Sequence, residues 1–467
     1  MKRDISNWSG KRIHFVGIGG AGMSGLARIA LSHGFEISGS DAKDSTVVTG
    51  LSALGANVKV GHNAANVDGS NVVVFSSAIT ETNPEIVRAK ELNLEILTRA
   101  QALATLMSSS KSIAVAGTHG KTTTSSMLTV ALQACGLDPS FAIGGTLTTS
   151  GSNAHKGTGE LFVAEADESD GSFIEYKPFA AIVTNVEHDH VDFFHTLQAV
   201  TDAFSEFAST IDPSGFLIYC ADDKGSKVLG ESTAQLPTAP TLISYGVSEG
   251  ADLRLDQISL LPMGASARVL WKGRSIGVLT LAVPGHHNLL NAAACLAMGL
   301  SLGAQPADLL SGLHSFRGAG RRFELKGTVH GIRVIDDYGH HPTEIKVTLT
   351  AAKHFAGDGR VLVIFQPHRY SRTQAFLGDF AHALDIADHV VLLEIYAASE
   401  KEIPGVSAAL IAEQMKHGEF IPNFVEASDW MIDHAKPGDV IVTLGAGDVN
   451  SLAPIIFDGL TRRFSEQ

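Results

Sequence analysis

Cysteine is nearly absent. Cys135, Cys220 and Cys295 are the only three in 467 residues. They lie far apart, show no CxxC spacing and form an odd set, which excludes a disulfide framework and points to inert thiols in a reducing compartment. Positive charge is also short. The 35 Lys and Arg face 49 Asp and Glu, a formal net charge of -14, and that balance argues against a nucleic-acid partner, whose phosphates call for clustered basic side chains. Long apolar runs are missing as well. No uninterrupted stretch reaches the roughly 18 residues that a membrane helix needs, and the opening "MKRDISNWSGKR" lacks the apolar core of a secretory signal. The expectation is a soluble cytoplasmic protein with no membrane insertion. Net charge does not describe a local pocket, so small anionic ligands stay open.

What is abundant is glycine, 47 residues, within a chain that is 44% hydrophobic. Such a chain buries well over about two-thirds of its unfolded surface without a metal or disulfide staple, and its length corresponds to about three domains at roughly 150 residues each. Short apolar runs alternate with helix-length amphipathic stretches, the βα pattern of parallel sheets. "IHFVGI" (13–18) reads as a first strand entering a glycine turn and a helix over 21–34. "FEISGSD" (35–41) and "NVVVFSSAI" (71–79) read as later strands. A second strand-loop-helix begins at "SIAVAGTHGKTTTSSMLTVALQACG" (112–136), followed by strands "LFVAEAD" (161–167) and "AAIVTNV" (180–186). The stretch from 220 to 283 is poor in helix signal and predicts small antiparallel strands, and 287–303 a strongly apolar helix. Four strands are predicted in a third unit: "IRVIDD" (332–337), "VLVIFQ" (361–366), "HVVLLEI" (389–395) and "DVIVTLGAG" (439–447).

Two of the turns carry phosphate chemistry. In "AVAGTHGKTTTSSML" (114–128) Gly117 stands two residues before Gly120-Lys121-Thr122, a phosphate loop shorter by two than the usual one. Backbone N–H groups at the helix start, a mobile lysine charge and a threonine hydroxyl are the parts a triphosphate with Mg²⁺ requires. An ordinary glycine-rich turn has no need of Lys-Thr-Thr-Thr at a helix start. The earlier turn matches G-x-G-x-x-G as Gly17, Gly19 and Gly22, with Asp41 at the end of the next predicted strand. The same glycines serve NAD, another nucleotide diphosphate or a bare structural turn, so this pattern alone leaves the ligand open.

"EADESD" (165–170) and "TNVEHDH" (184–190) both sit at the carboxyl end of a predicted strand, the edge where open α/β sheets bind ligands. Glu165 and His190, facing Thr122, are candidates to hold Mg²⁺. The histidine pairs 188/190, 286/287 and 340/341 lack the cysteine spacing of a closed zinc site. Three strands of the third unit end in the polar clusters "DDYGHHP", "QPHRYSR" and "GAGD". Arg369 and Arg372, three apart, share a face if they begin a helix, which suits clamping one carboxylate. Arg321 and Arg322 fall at the predicted hinge into that unit, within reach of a phosphate when domains close.

Taken in order, "GIGGAGMSGLA", "GTHGKTTT", "EADESDGSF", "TNVEHDHVD", "HNLLNA", "GRRFE", "DDYGHHPTE" and "PHRYSRT" resemble the motif set of the Mur ligases. These are ATP-dependent amide-forming enzymes of peptidoglycan precursor synthesis, and the shortened loop is characteristic of them. The resemblance runs over essentially the whole chain. It implies an α/β fold of three domains: an N-terminal Rossmann-like domain for the UDP-sugar (1–107), a central P-loop-type ATPase domain (108–318), and a C-terminal Rossmann-like domain (319–467) that binds the amino acid and completes the ATP site. Within the family the motifs are most similar to members that join L-alanine to UDP-N-acetylmuramate.

By that resemblance Gly117, Thr118, His119, Gly120, Lys121, Thr122 and Thr123 would bind ATP, with Asn288 and Asn291 on the adenine side and Arg322 and Asp337 as further contacts. Thr122, Glu165 and His190 would hold magnesium. Gly17, Gly19, Gly20, Ala21, Gly22, Met23, Ser24 and Asp41 would wrap the UDP part of the sugar, not NAD. Tyr338, His340, Arg369 and Arg372 would receive L-alanine, with His340 a candidate proton acceptor. Lys121, Glu165, His190, Arg322 and His340 make the expected catalytic set. Two positions depart from the pattern, Gly171 in place of Ala and Glu394 in place of Asp. A murein-tripeptide ligase on the same UDP-sugar would not be expected to carry "DDYGH" or "PHRYSR". An NAD-dependent oxidoreductase would leave Lys121 and the third domain without purpose, and a silent nucleotide sensor would not need Lys121, Glu165 and His190 together.

Overall fold

The structure, a computed structural model, describes residues 4–76, 78–148 and 150–465. In chain order the first elements are β1 (Arg12–Val16), α1 (Ala21–Ser32), β2 (Glu36–Asp41), α2 (Thr46–Ala53), β3 (Asn57–Val60), β4 (Val72–Phe75), α3 (Pro84–Glu91), β5 (Glu95–Thr98) and α4 (Arg99–Met107). Their strands form a sheet in the order β3-β2-β1-β4-β5, parallel throughout. Local sequence sets the boundaries. Asn83 caps α3 with Pro84 behind it, Thr98 and Gln101 form a reciprocal capping box on α4, and the turn after α1 passes through Gly34 at φ +81°, a left-handed conformation glycine adopts without strain. The strand order reverses between β1 and β4, which places the first glycine turn at a topological switch point.

Next come β6 (Lys111–Ala116), α5 (Lys121–Ala134), β7 (Ser140–Ala142), β8 (Ala154–His155), β9 (Leu161–Glu165), β10 (Ala180–Val183), α6 (Leu197–Ser209), β11 (Phe216–Cys220), α7 (Lys224–Thr233), β12 (Thr241–Gly246), β13 (Leu253–Leu261), β14 (Gly264–Trp271), β15 (Arg274–Leu281), α8 (His286–Ser301) and α9 (Pro306–Ser315). Parallel strands run β12-β11-β10-β6-β9-β7. β6 lies between β10 and β9, so the phosphate loop after β6 is flanked by the two acidic strand ends. The expectation of small antiparallel strands over 220–283 is met at β14 and β15. It fails before them: α7 is a helix, and β12 pairs in parallel with β11. The polar sequence "KGSKVLGEST" hides α7, which buries only Ser226, Leu229, Gly230 and Thr233.

The last sheet holds β16 (Glu324–Val329), β17 (Ile332–Asp337), β18 (Val361–Phe365), β19 (His389–Leu392), β20 (Gly418–Phe420) and β21 (Val440–Leu444), in the order β16-β17-β21-β18-β19-β20. Only β16 is antiparallel to its neighbour. The four expected strands are its centre, and the two unexpected ones are its edges. α10 (Pro342–Ala356), α11 (Tyr370–Ala375) and α12 (Leu377–Leu384) follow the strands. Apolar clusters cover both faces, one around Ile345, Phe365 and Phe380 and one around Ile364, Met431 and Ile456. The fold is thus three-domain α/β. By compactness the residues group into two units. One runs to Val186 and takes in Thr201–Arg254 and Ala293–Gly312. The other joins Glu187–Val200, Leu255–Ala292 and everything from Leu313 onward. No described helix is long and apolar enough to cross a membrane.

Gly117 shows how tightly the first unit constrains its loop. It sits at φ +129°, and a Cβ there would meet Thr184 Oγ1 at 2.0 Å. Gly117→Ala is expected to lower stability by about 2 kcal/mol or more, read as a fall in the thermal unfolding midpoint. An unchanged midpoint would mean that the loop relaxes freely.

Candidate active site

In the first unit the shortened loop turns out of β6 and into α5 through Gly120, at φ +82°. Residues from the two flanking strand ends hold it. Thr118 N–H donates to the Asn185 carbonyl at 3.1 Å, His119 N–H to Asn185 Oδ1 at 2.8 Å, and Thr184 Oγ1 to the His119 carbonyl at 2.6 Å. Lys121 is folded back over this frame. Its Nζ donates to the carbonyls of Gly117 (2.7 Å) and Thr118 (3.0 Å) and to Glu168 Oε1 (2.8 Å). Burial opposes its charge, but Glu168, Asp167 and Glu165 outweigh that and push the ammonium above its ordinary value, so it stays protonated at neutral pH.

Thr122 and Glu165 come together as the spacing predicts. Thr122 Oγ1 donates to Glu165 Oε1 at 3.1 Å, while Gly144 N–H donates to Glu165 Oε2 at 2.8 Å. Thr122 is buried and Thr123 half-buried on the first turn of α5. Beside Glu165 opens a cleft of about 360 Å³ whose opposite wall includes Gly20, Ala21, Gly22 and Met23 at the start of α1. The turn before that helix is tied to β2. Gly17 N–H donates to the Ser40 carbonyl, and Gly19 N–H to Asp41 Oδ2 at 2.9 Å. Ser24 Oγ donates back to the Ala21 carbonyl at 3.1 Å. Arg99 reaches into the same cleft, 3.7 Å from Asp167. Burial opposes its charge too, but Tyr176 and the acids Asp167, Asp170 and Glu165 raise its pKa.

The second unit gathers the remaining candidates. Arg372 is buried and lies 2.8 Å from Asp189. Arg369 pairs with Asp192 and stands at φ +72° as the residue before α11. The two arginines therefore do not form one helical face, because only Arg372 is inside the helix. Each already has its own carboxylate, from a segment that also bonds Thr343 Oγ1 to Glu187 Oε2 at 2.8 Å. Burial alone would raise the Asp189 carboxyl, yet Arg372 and the nearby histidines hold it well below the carboxylate range. His190, the next residue, is at φ +51° with Nε2 3.8 Å from Asp189.

Tyr338 lies under two guanidiniums, Arg321 at 5.0 Å and Arg322 at 4.9 Å from its ring centroid, an attraction of cation to π face. Arg322 also approaches Glu344 at 3.8 Å. Asp337 is buried and its oxygens accept N–H groups of Phe323 (2.7 Å) and Gly339 (2.8 Å). Burial keeps His340 neutral, its pKa well below the ordinary value, and its Nδ1 lies 3.3 Å from Glu344. On α8, Asn288 Nδ2 donates to the Pro284 carbonyl at 2.7 Å, and Asn291 Nδ2 lies 3.5 Å from Asn288 Oδ1.

Three segments match known domain families in chain order: "Mur ligase family, catalytic domain" over residues 12–111, "Mur ligase middle domain" over 115–299 and "Mur ligase, glutamate ligase domain" over 321–447. The chain belongs to the Mur ligase family. It is 49% identical to the UDP-N-acetylmuramate–L-alanine ligase of Saccharopolyspora erythraea, covering 97% of this chain and 94% of that one. It is 47% identical to the enzyme of the same name from Paenarthrobacter aurescens, covering 96% and 97%. Among solved structures it is similar to the UDP-N-acetylmuramate-alanine ligase of Thermotoga maritima, with 32% identity, a TM-score of 0.80 and coverage of 98% and 100%. A murein peptide ligase from Psychrobacter arcticus follows at 26% identity and TM-score 0.72, covering 97% and 99%.

Against the Mur motif set, several residues gain roles that spacing does not reveal. Thr184 and Asn185 brace the loop, Glu168 neutralises Lys121, Arg99 lines the cleft, and Asp189 pairs with Arg372. All but Arg99 sit inside or beside a quoted motif, but the partner lies far along the chain. Gly171, where the family pattern leads one to expect Ala, adopts φ +70°, a conformation that suits glycine.

Removing Arg372 would leave the buried Asp189 charge without its counter-ion. Arg372→Ala is expected to destabilise the second unit by about 3 kcal/mol, measured by denaturant unfolding. His368, pushed down to about 4 mainly by burial and then by Arg372 and Arg369, is neutral in the fold and charged in the unfolded chain below its ordinary value. Stability should therefore fall as pH drops from about 6.5 towards 4, and His368→Gln should flatten that slope in unfolding curves taken across the window.

Proposed function

We propose that this Mur ligase joins L-alanine to the carboxylate of UDP-N-acetylmuramate with conversion of ATP to ADP and phosphate, in peptidoglycan precursor synthesis. The observation that carries the reading is Lys121, a charged, desolvated ammonium at a helix start beside a hydroxyl and a carboxylate, in a chain nearly half identical to ligases of that name. A carboxylate is a poor electrophile, so the γ-phosphoryl group first converts it to an acyl phosphate. The main service a protein offers there is to offset negative charge. Lys121 does so as a point charge, and the end of the loop, from Gly120 to Thr123, does so through the N–H groups at the start of α5.

Magnesium belongs to this proposal. Thr122 Oγ1 and Glu165 Oε1, 3.1 Å apart, are hard oxygen donors that fit it, and His190 in the second unit is the third residue that the family resemblance assigns. When bound, the ion neutralises phosphate charge. Residues 1–107 take the UDP-sugar through Gly17, Gly19 to Ser24 and Asp41. Residues 108–318 take ATP, with Asn288 and Asn291 on its adenine side. Residues 319–467 supply Arg322 and Asp337 to ATP and receive L-alanine. Arg369 and Arg372 orient its carboxylate by exchanging one of their present partners. The amine must be neutral to attack the acyl phosphate, and His340, uncharged in its buried setting, is our candidate to take the proton. The three free cysteines and the two nucleotide substrates support a cytoplasmic location.

Lys121→Ala is expected to abolish ADP release while UDP-sugar binding persists. Wild-type-like ADP release from that variant would overturn the role of the lysine. Phosphate release from ATP with UDP-N-acetylmuramate, assayed against L-alanine, L-serine and glycine in turn, tests the reaction itself: the highest kcat/KM is expected with L-alanine, and no amino-acid dependence would remove the ligase reading.

A further inference from the structure

A fully buried carboxylate lies beneath the first glycine turn, in a position that no part of the reaction uses. Glu85, in the first turn of α3, is completely inaccessible. It has no lysine or arginine partner among the described residues and is held instead by side-chain and backbone hydrogen-bond donors beside two histidines. Its Oε1 accepts from Asn66 Nδ2 at 2.6 Å and from Asn63 N–H at 3.2 Å. Its Oε2 accepts from Ser40 Oγ at 2.5 Å and lies 3.5 Å from both His14 Nε2 and His62 Nδ1. These groups come from β1, β2 and the segment after β3, so one carboxylate ties four stretches of chain together. Burial pushes its pKa up, but the hydrogen bonds from His14, Ser40 and Asn66 bring it down to about 2. It is therefore an anion throughout the neutral range.

What the anion holds is the end of β2. The Ser40 hydroxyl donates to Glu85 and also lies 3.0 Å from His62 Nδ1, while the Ser40 carbonyl accepts from Gly17 N–H at 2.8 Å and Ile18 N–H at 2.9 Å. The next residue continues the tie, since Asp41 Oδ2 accepts from Gly19 N–H at 2.9 Å. The Asp41 carbonyl accepts from Gly61 N–H at 2.7 Å, next to His62. Three successive amides of the turn are thus spent on Ser40 and Asp41. The first residues of α1, whose N–H groups have no partner within the helix, follow directly and line the cleft.

We infer that Glu85 is a positioning residue for the diphosphate cradle, acting through Ser40 to set where the start of α1 meets the UDP part of the substrate. The inference rests on the reading of this turn as the UDP-sugar site. A neutral side chain at 85 cannot satisfy the same set of donors. Ser40 then loses its anchor, the turn shifts, and N–H groups aimed at phosphate lose alignment. The loop read as the ATP site, Gly117–Thr123, lies elsewhere in the first unit, and the partners of Glu85 among the described residues do not include it.

The test uses full-length Glu85→Gln and Ser40→Ala, with calorimetric titration of UDP and steady-state kinetics in parallel. UDP affinity is expected to weaken by about tenfold in Glu85→Gln, the loss of roughly one aligned charge-assisted hydrogen bond, with a matching rise in KM for UDP-N-acetylmuramate. The KM for ATP and kcat should stay within about twofold, a split that general loosening of the fold would not produce. Ser40→Ala, which leaves the buried charge in place and cuts only the link, should shift UDP affinity in the same direction, and it decides the matter if Glu85→Gln does not fold. Unchanged UDP affinity in the folded variants, or an equal rise in the KM for ATP, would overturn the inference while leaving the ligase reading intact. If the wild type itself does not bind UDP, the assignment of the turn falls, and this inference with it.

Discussion

An ammonium group kept from water yet kept charged is the constraint around which the first unit is arranged. Lys121 is almost fully enclosed, and desolvation alone would favour its neutral form. Glu168 at 2.8 Å and two loop carbonyls prevent that. The arrangement demands a glycine at 117, because a side chain there would run into Thr184, and it demands that the strand ends on both sides of β6 supply the braces. A phosphate loop two residues shorter than usual is workable here because Asn185 accepts and donates the hydrogen bonds that a longer loop would make within itself. In the proposed reaction nucleotide binding is an exchange of counter-ions at a charge already formed, which avoids the cost of charging a buried amine at the moment of reaction.

The second unit follows the same rule with the opposite emphasis. Its buried charges occur as pairs, Arg372 with Asp189 and Arg321 with Asp336, or are carboxylates fed by backbone N–H groups, as Asp337 is. Buried pairs of this kind contribute little net stability but make the loss of either member costly. They also make geometry specific. Arg369 stands in a left-handed conformation at the start of α11, and His190 in another within the segment that answers it. Strained residues of this sort persist where surrounding contacts over-determine them, commonly at sites that act on ligands.

Much of this was legible in residue patterns, and the illegible parts have definite causes. The central strands of each sheet are apolar runs buried on both faces, so β17, β18 and β21 read clearly. β16 and β20 are edge strands, largely exposed and without such a run, and β20 is only three residues long. α7 buries too narrow a stripe to show a helical period. The pairing of Thr122 with Glu165 followed from two motifs at adjacent strand ends. The condition for Arg369 and Arg372 to share one helical face is not met, because the chain turns left-handed at 369 and the helix begins one residue later.

Composition and local motifs by themselves determined the class of fold and the Mur kinship, and marked the two glycine turns as candidate phosphate sites, because strand period, glycine conformation and loop spacing are properties of a few neighbouring residues. Which charge answers which was decided only by tertiary structure. Lys121 meets Glu168 across 47 residues and Arg372 meets Asp189 across 183, while Glu85 is satisfied by donors from β1, β2 and the segment after β3. A buried ion takes whichever partner the packed sheets bring within about 3 Å, and no local pattern encodes that distance.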